Sequence, residues 1–310
     1  MIINNGWLRL CVEIISNGIR YEWGNVNSMR RFNILVPHAV AVIEYAYSAD
    51  YCDLLPDDDL VILCNRIGYG LRYGSNYATS LDCYKKALSM QERILSRMSS
   101  VRATLYYNIA WLYDEIMDFD SALEWHLKSL EISKAIHGRE GISTAHTYSA
   151  IGTIYGNKRN YKKAMSYHKR ALYNLETKLG KCDPSVASVC NNIAIIYAEK
   201  QLYEQALKWH HRDISICENT LGKKHPDIAT SYSNIAMTYY DMGAPQSAFE
   251  WYEKAIKIQY DILGEKHPVL EKTINNAAMA YSKAKKDNPN NYPFSYEEWI
   301  EAIQKTQINE

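Results

Sequence analysis

Tyr113, Tyr155, Tyr197, Tyr239 and Tyr281 stand 42 residues apart. A fixed period of that length means an array of one supersecondary unit rather than a globule built around one centre. Three residues before each tyrosine lies a small residue, Ala110, Gly152, Ala194, Ala236 and Ala278, and Gly68 extends this column upstream by one period. Nine residues after the tyrosines come Ala122, Ala164, Ala206 and Ala248, with Ser80 in the earlier slot. Each unit of such an array packs only on its neighbours, so a chain of 310 residues can share one elongated core instead of dividing into two globules.

Residues 185–222 show the unit most clearly. Asp183 can cap a helix whose first position is Pro184, where no backbone donor is needed. Val186, Val189, Cys190, Ile193, Ala194 and Tyr197 then fall on one helical stripe. After a polar break, Ala206, Leu207, Trp209, His210, Ile214 and Cys217 form a second stripe. Gly222 suits the left-handed position past a helix end, and Pro226 opens the next unit. Small residues at Ala194 and Ala206 let two helices cross closely, while Tyr197 and Trp209 fill the space between adjacent pairs.

Two amphipathic helices per unit, small residues at the crossing and a bulky aromatic between them resemble the tetratricopeptide repeat. The 42-residue form, with Asn-Asn-Ile-Ala-Ile-Ile-Tyr at 191–197 and Leu-Gly-Lys-Lys-His-Pro-Asp at 221–227, resembles the longer repeat of kinesin light chains and their bacterial relatives. The resemblance spans 59–285 and implies an all-α fold, a right-handed superhelical solenoid of antiparallel helix pairs. Pairs are expected at 59–97, 101–137, 143–179, 185–221 and 227–263, with a sixth first helix at 269–285. Domain boundaries then fall as an N-terminal helical cap at 1–50, the array at 51–285, and a turn with a capping helix at 286–310.

Trp7 to Tyr21 and Met29 to Ser48 are helical in period but out of phase with the repeat. Arg31-Phe-Asn-Ile-Leu-Val-Pro37-His38 through Glu44 resembles a helix that precedes the repeat array in bacterial STAND signalling ATPases. No G-x-x-x-x-G-K-[ST] accompanies it, so this resemblance implies either an excised sensor and oligomerisation half, without its ATPase domain, or a standalone relative.

Composition narrows the function classes. Thirty-five basic and 35 acidic residues cancel, which argues against nucleic acid held by a basic face and against attachment to anionic membrane. No signal peptide is visible at the start, and the apolar stretch 34–46 is too short to span a bilayer. Seven cysteines without C-x-x-C fit a reduced cytoplasmic protein.

Candidate chemistry reduces to packing. Gly68-Tyr-Gly70-Leu-Arg-Tyr-Gly74 lacks the strand and βαβ unit that a phosphate-binding loop requires. His126, His168 and His210 share a slot with Tyr84 and Tyr252, so the slot asks for a flat ring with a polar edge, not a metal ligand. Acidic clusters such as Asp57-Asp58-Asp59 read as helix starts. No nucleophile, acid–base pair, metal set or cofactor site stands out, and the chain is read as non-enzymatic.

The face expected to carry function lines the inside of the array, along the first helices. One column reads Arg66, Asn108, Ala150, Asn192, Asn234 and Asn276, a second Tyr69, Trp111, Thr153, Ile195, Met237 and Met279, and a third Arg72, Asp114, Gly156, Ala198, Tyr240 and Ser282. Asparagines could hydrogen-bond an extended peptide backbone, the role that the resemblance to kinesin-light-chain arrays implies, or they could brace neighbouring helices. Trp111, Met237 and Met279 on an open face favour a binding groove for a protein or peptide partner. The column six before the small residue holds a single lysine, Lys272, among Ile62, Thr104, His146, Ser188 and Thr230, which is no clamp for a C-terminal carboxylate. Self-association through the convex face or the array ends is a further possibility.

Overall fold

The structure, a computed structural model, describes residues 6–19, 26–48, 59–73, 76–94, 99–222, 224–264, 267–291, 296 and 298. These residues form helices and no strand: α1 (Gly6–Gly18), α2 (Val26–Ser48), α3 (Asp59–Tyr73), α4 (Tyr77–Ile94), α5 (Ser100–Glu115), α6 (Phe119–His137), α7 (Ile142–Asn157), α8 (Tyr161–Leu179), α9 (Pro184–Glu199), α10 (Tyr203–Leu221), α11 (Pro226–Asp241), α12 (Pro245–Leu263) and α13 (Pro268–Asp287). From α3 onward first and second helices alternate on the 42-residue period, as an all-α array of helix pairs requires.

The helix boundaries follow from local chemistry repeated on that period. Second helices are capped by Asn76, Asp118 and Asn160, whose side chains accept the backbone N–H of Thr79, Ser121 and Lys163. Leu202 stands in the same slot before α10 and makes no side-chain cap, while α12 begins with Pro245 instead. First helices use Ser99, Asp183, His225 and His267, each accepting a backbone N–H of the first turn. For the two histidines the acceptor is Nδ1, which places the ring proton on Nε2. Pro184, Pro226 and Pro268 follow three of these caps. The pairs are separated by Gly138, Gly180, Gly222 and Gly264, all at φ between 75° and 88°. A β-carbon is disfavoured in that conformation.

Inside each pair a small residue of the first helix lies against a ring of the second. A β-carbon on Gly68 would sit 2.7 Å from the Tyr84 ring, so that slot of α3 admits nothing larger than glycine. The ring slot itself, Tyr84, His126, His168, His210 and Tyr252, is buried throughout. The periodic tyrosines pack as the sequence suggested: Tyr155 stacks on Tyr167 at 5.6 Å and Tyr281 meets Phe249 edge-on at 5.0 Å. A second aromatic belt joins Tyr106 to Trp125, Tyr148 to Tyr167 and Tyr232 to Trp251 at 5.2–6.0 Å, with Lys128 and Lys254 lying over the tryptophan rings.

Two compact units divide the chain, Met1–Tyr167 and His168–Glu310, with the division inside α8. In the first, α1 and α2 pack on α3. Phe32 of α2 presses its ring onto Gly70, where a β-carbon would come within 2.1 Å of it, and Arg66 donates to the Ser16 carbonyl at 2.6 Å. Lys86 pairs with Glu44 and Ser89 hydrogen-bonds Tyr47 at 3.5 Å, both 42 residues apart. The α2 helix thus occupies the second-helix place one period before α4, although its sequence is out of phase with the repeat. Gly68 and Gly70 are packing glycines, each facing a ring; Gly74, Asp57 and Asp58 lie outside the described residues.

The second unit runs from His168 through α13 and its 3-10 turn Pro289–Asn291. Arg212 of α10 pairs with Glu176 of α8. Leu270, Ala277, Tyr281 and Ala284 of α13 close the core against Phe249, Tyr252 and Ile256 of α12. Tyr296 covers Tyr281 at 5.8 Å and donates its hydroxyl to the Ile274 carbonyl at 2.6 Å. The capping helix expected after the turn lies largely outside the described residues, which beyond 291 are Tyr296 and Glu298.

If Phe32 seats the N-terminal helices on α3, Gly70→Ala costs about 1–3 kcal/mol through overpacking. In a Phe32→Leu background the same change becomes neutral or favourable, because a helical alanine is otherwise preferred to glycine by about 0.5–1 kcal/mol. Urea unfolding of the four members of this double-mutant cycle measures the coupling.

Candidate functional site

The inner face of each unit is built by first helices lying side by side: α3 touches α5, α9 touches α11, and α11 touches α13. Asparagine side chains bridge them. Asn108 donates to Asn65 at 2.8 Å, Asn234 to Asn191 at 3.1 Å, and Asn157 to Asp114 at 3.0 Å. All three bonds span 43 residues, one repeat plus one position, which is the register in which neighbouring first helices lie. At Asn108 and Asn234 the amide donor therefore braces helices, the second of the two roles the sequence allowed. Asn192 and Asn276 are half-buried in equivalent slots.

In the second unit the neighbouring column stays open. Ile195 is 39% exposed, Met237 38% and Met279 57%, giving α9, α11 and α13 one apolar residue each at the same level. Met237 also receives the buried Tyr252 hydroxyl on its sulfur at 3.7 Å. Tyr240, half-buried, lies beneath the Lys283 ammonium at 4.8 Å.

In the first unit the same columns are occupied differently. Arg72 was expected to project into the groove; it is only 7% exposed, with its guanidinium 3.6 Å from the Trp111 ring centroid and 4.8 Å from that of Tyr69. Trp111, expected as an open anchor, is half-buried beneath that guanidinium. The stack follows from delocalised cation and ring faces attracting each other, and it shields both from solvent. Beside it the Asn157–Asp114 bond joins α7 to α5. Burial of the Asp114 carboxyl raises its pKa.

Toward the N-terminal ends of these helices a cavity of about 640 Å³ opens. Its α3 wall is Asn65, Arg66 and Tyr69, and its α5 wall includes Thr104, Tyr107 and Asn108. Ser143, His146 and Thr147 of α7 face them, and Ser129, Ser133 and His137 of α6 line it from behind. Arg66, Tyr69 and Asn108 were legible from the groove columns. The α6 residues were not, because only first helices were expected on that face. One signal was present: at the slot of Ser133 the other pairs carry the larger Gln91, Leu175, Cys217 and Gln259. A serine there leaves space that those side chains fill.

The polar groups buried within the pairs serve packing. Desolvation pushes His126 down to about 3, and His168 and His210 down to about 4, so all three are neutral near pH 7. His210 Nε2 meets the Thr238 hydroxyl at 3.2 Å, and His126 meets the Tyr107 ring at 5.1 Å. Asp213 stands in a slot that holds Ala87, Ser129, Ala171 and Ala255 elsewhere. It accepts from Cys217 at 3.4 Å, its Oδ2 has no partner among the described residues, and burial raises its pKa to about 6. No group of three His, Cys, Asp or Glu side chains among the described residues could hold a metal ion, and no described helix is long and apolar enough to cross a membrane.

The family profile of the tetratricopeptide repeat matches residues 58–135, 115–176 and 185–261. Among solved structures, BtubC (BKLC) from P. vanneervenii is 22% identical with a TM-score of 0.58, over 74% of this chain and 91% of that one. The Rap conjugation gene regulator of plasmid pLS20, solved in complex with the Phr* peptide, is 15% identical with a TM-score of 0.58, over 91% and 85% of the two chains. A point-substituted form of a putative kinesin light chain from Podosopora anserina with nearly identical TPR-like repeats is 20% identical with a TM-score of 0.51, over 66% and 95%. At these identities the likeness is one of fold. No curated protein sequence matches.

The buried ionisable groups set opposite pH dependences. Histidines with lowered pKa stabilise the fold above about pH 6.5, and that contribution is lost as pH falls towards 4. Asp213, with a raised pKa, stabilises below about pH 3.8, and this is lost as pH rises through 6. Asp213→Ala is therefore expected to raise stability at pH 7 by on the order of 1–3 kcal/mol and to gain less at pH 4, measured by denaturant unfolding at both pH values.

Proposed function

Because the chain belongs to the tetratricopeptide repeat family, we propose that it is a non-enzymatic interaction module that binds a peptide or protein segment along the first-helix face. The observation that carries this reading is the apolar row Ile195, Met237 and Met279 on successive first helices of the second unit. Three apolar side chains exposed at one level, each one repeat from the next, supply contacts for alternate side chains of an extended segment. Asn192, Asn234, Asn276 and Tyr240 border the row and offer amide and phenol groups to its backbone. Asn234 has given one amide hydrogen to Asn191, so its second amide hydrogen and its carbonyl oxygen are the groups offered to a ligand.

In the first unit Arg66, Tyr69, Arg72, Asn108 and Trp111 take a smaller part in this reading. Arg72 and Trp111 cover each other, and Asn108 is committed to Asn65. That the Rap regulator was solved with a peptide agrees with peptide binding by this fold, though at 15% identity it does not identify the ligand. A reduced cytoplasmic setting follows from the cysteine usage rather than from the fold. The alternative, a sensor half of a STAND-type ATPase, draws its support from the sequence 31–44 and its position before the 42-residue repeats.

Selection of a peptide from a displayed library on the purified protein provides the assay. Ile195→Glu with Met279→Glu is expected to weaken the selected peptide about tenfold or more while leaving the melting temperature nearly unchanged, since both side chains are exposed. Met237 is left intact because its sulfur receives the Tyr252 hydroxyl. Undiminished affinity in the folded double mutant would exclude the apolar row as the binding face.

A further inference from the structure

We infer that the cavity of the first unit is a separate pocket for a compact organic oxyanion, a molecule carrying a carboxylate or phosphate. The pocket is bounded where a peptide groove would be continuous. The Arg72–Trp111 stack and the Asn157–Asp114 bond occupy the next level of the same first helices. What remains is a recess of about 640 Å³, within the size range of small-molecule sites and not a channel along the array.

The lining fixes the charge of the occupant. Among the described residues that line the cavity none is acidic, one is a permanent cation, Arg66, and two are imidazoles, His137 and His146. The rest are Ala103 and hydroxyl and amide side chains beside the rings of Tyr69 and Tyr107, with the hydroxyls of Thr104, Ser129 and Thr147 already donating to backbone carbonyls. Donors without a competing carboxylate favour an anion and penalise a cation, which would find no counter-charge in the recess. One guanidinium nitrogen of Arg66 donates to the Ser16 carbonyl, which orients the planar fork, and its other donors have no partner among the described residues.

Ser133, with a side chain 2% exposed, lines the cavity at the slot where the other pairs carry larger residues. Nearby hydroxyls are satisfied within the fold, Ser129 by the Ala103 carbonyl at 2.8 Å and Thr147 by the Ser143 carbonyl at 2.9 Å.

The test uses the full chain and defined probes: succinate for the carboxylate, adenosine monophosphate for the phosphate monoester, inorganic phosphate for the bare ion, and spermidine and ribose as cationic and neutral controls. Saturable binding by calorimetry at constant ionic strength is expected for succinate or adenosine monophosphate, and not for spermidine or ribose. Comparing the two shows which oxyanion source the pocket takes. Binding of inorganic phosphate alone would overturn an organic ligand and leave only an anion site. Arg66→Met is expected to weaken binding about tenfold or more, as loss of a charge-assisted bond requires. Because Arg66 also tethers α1, His146→Glu serves as the second variant: it places a carboxylate on the exposed rim, and binding should fall with no change in melting temperature. No saturable anion binding, equal binding by both variants, or preference for spermidine would overturn the inference. The Ile195→Glu, Met279→Glu protein should bind these probes normally, so failure here and failure of the peptide-binding face are distinguishable.

Discussion

Every other feature depends on the close crossing of two helices at a small residue. It is seen directly where Gly68 leaves room for the Tyr84 ring. The same columns continue as Ala110 with His126, Ala194 with His210 and Ala236 with Tyr252. A ring packed against a bare backbone brings the helices near enough for the remaining stripes to interdigitate, and dispersion over many such contacts stabilises each pair. The polar edge of the ring is why histidine and tyrosine alternate in the slot. It finds a hydroxyl in Thr238 at His210 and a sulfur in Met237 at Tyr252.

A consequence of that crossing is that first helices lie side by side one position out of register. The 43-residue hydrogen bonds of Asn108, Asn234 and Asn157 record this offset. The asparagine ladder is thus partly a structural brace, and the column beside it differs between the two units. In the second unit that column is open and apolar. In the first, Arg72 closes it by lying over Trp111. One scaffold therefore presents two chemistries: an apolar row in the second unit, and a polar recess in the first.

The N-terminal helices extend the same logic. Their sequence lacks the repeat's columns, yet α2 meets α4 through pairs 42 residues apart, Glu44 with Lys86 and Tyr47 with Ser89. Phe32 against Gly70 reverses the usual arrangement, a ring of the preceding helix and a glycine of the first. An end of an array must be covered by something of matching shape, and shape can be met without the repeat's own residues.

The sequence by itself determined the helix pairs, their period, their caps and the packing role of the tyrosines and histidines, because these are set by residues that recur at one spacing. Gly222, Pro226 and Asp183 act within a few residues of themselves, so their effect is legible in one dimension. Only the tertiary structure decided what Arg72 and Trp111 do, since a guanidinium and a ring 39 positions apart meet solely through the register of α3 and α5. It alone made the recess, which needs Ser133 to be small where its counterparts Gln91 and Leu175 are large, and needs three first helices to stand around it. Left-handed turns at Met117, Arg159 and Gln201 were hidden in those side chains; only Gly243, in the same 42-residue slot, is a residue type that favours a positive φ. Periodic local chemistry is written in the chain; voids and stacks arise where separate repeats meet.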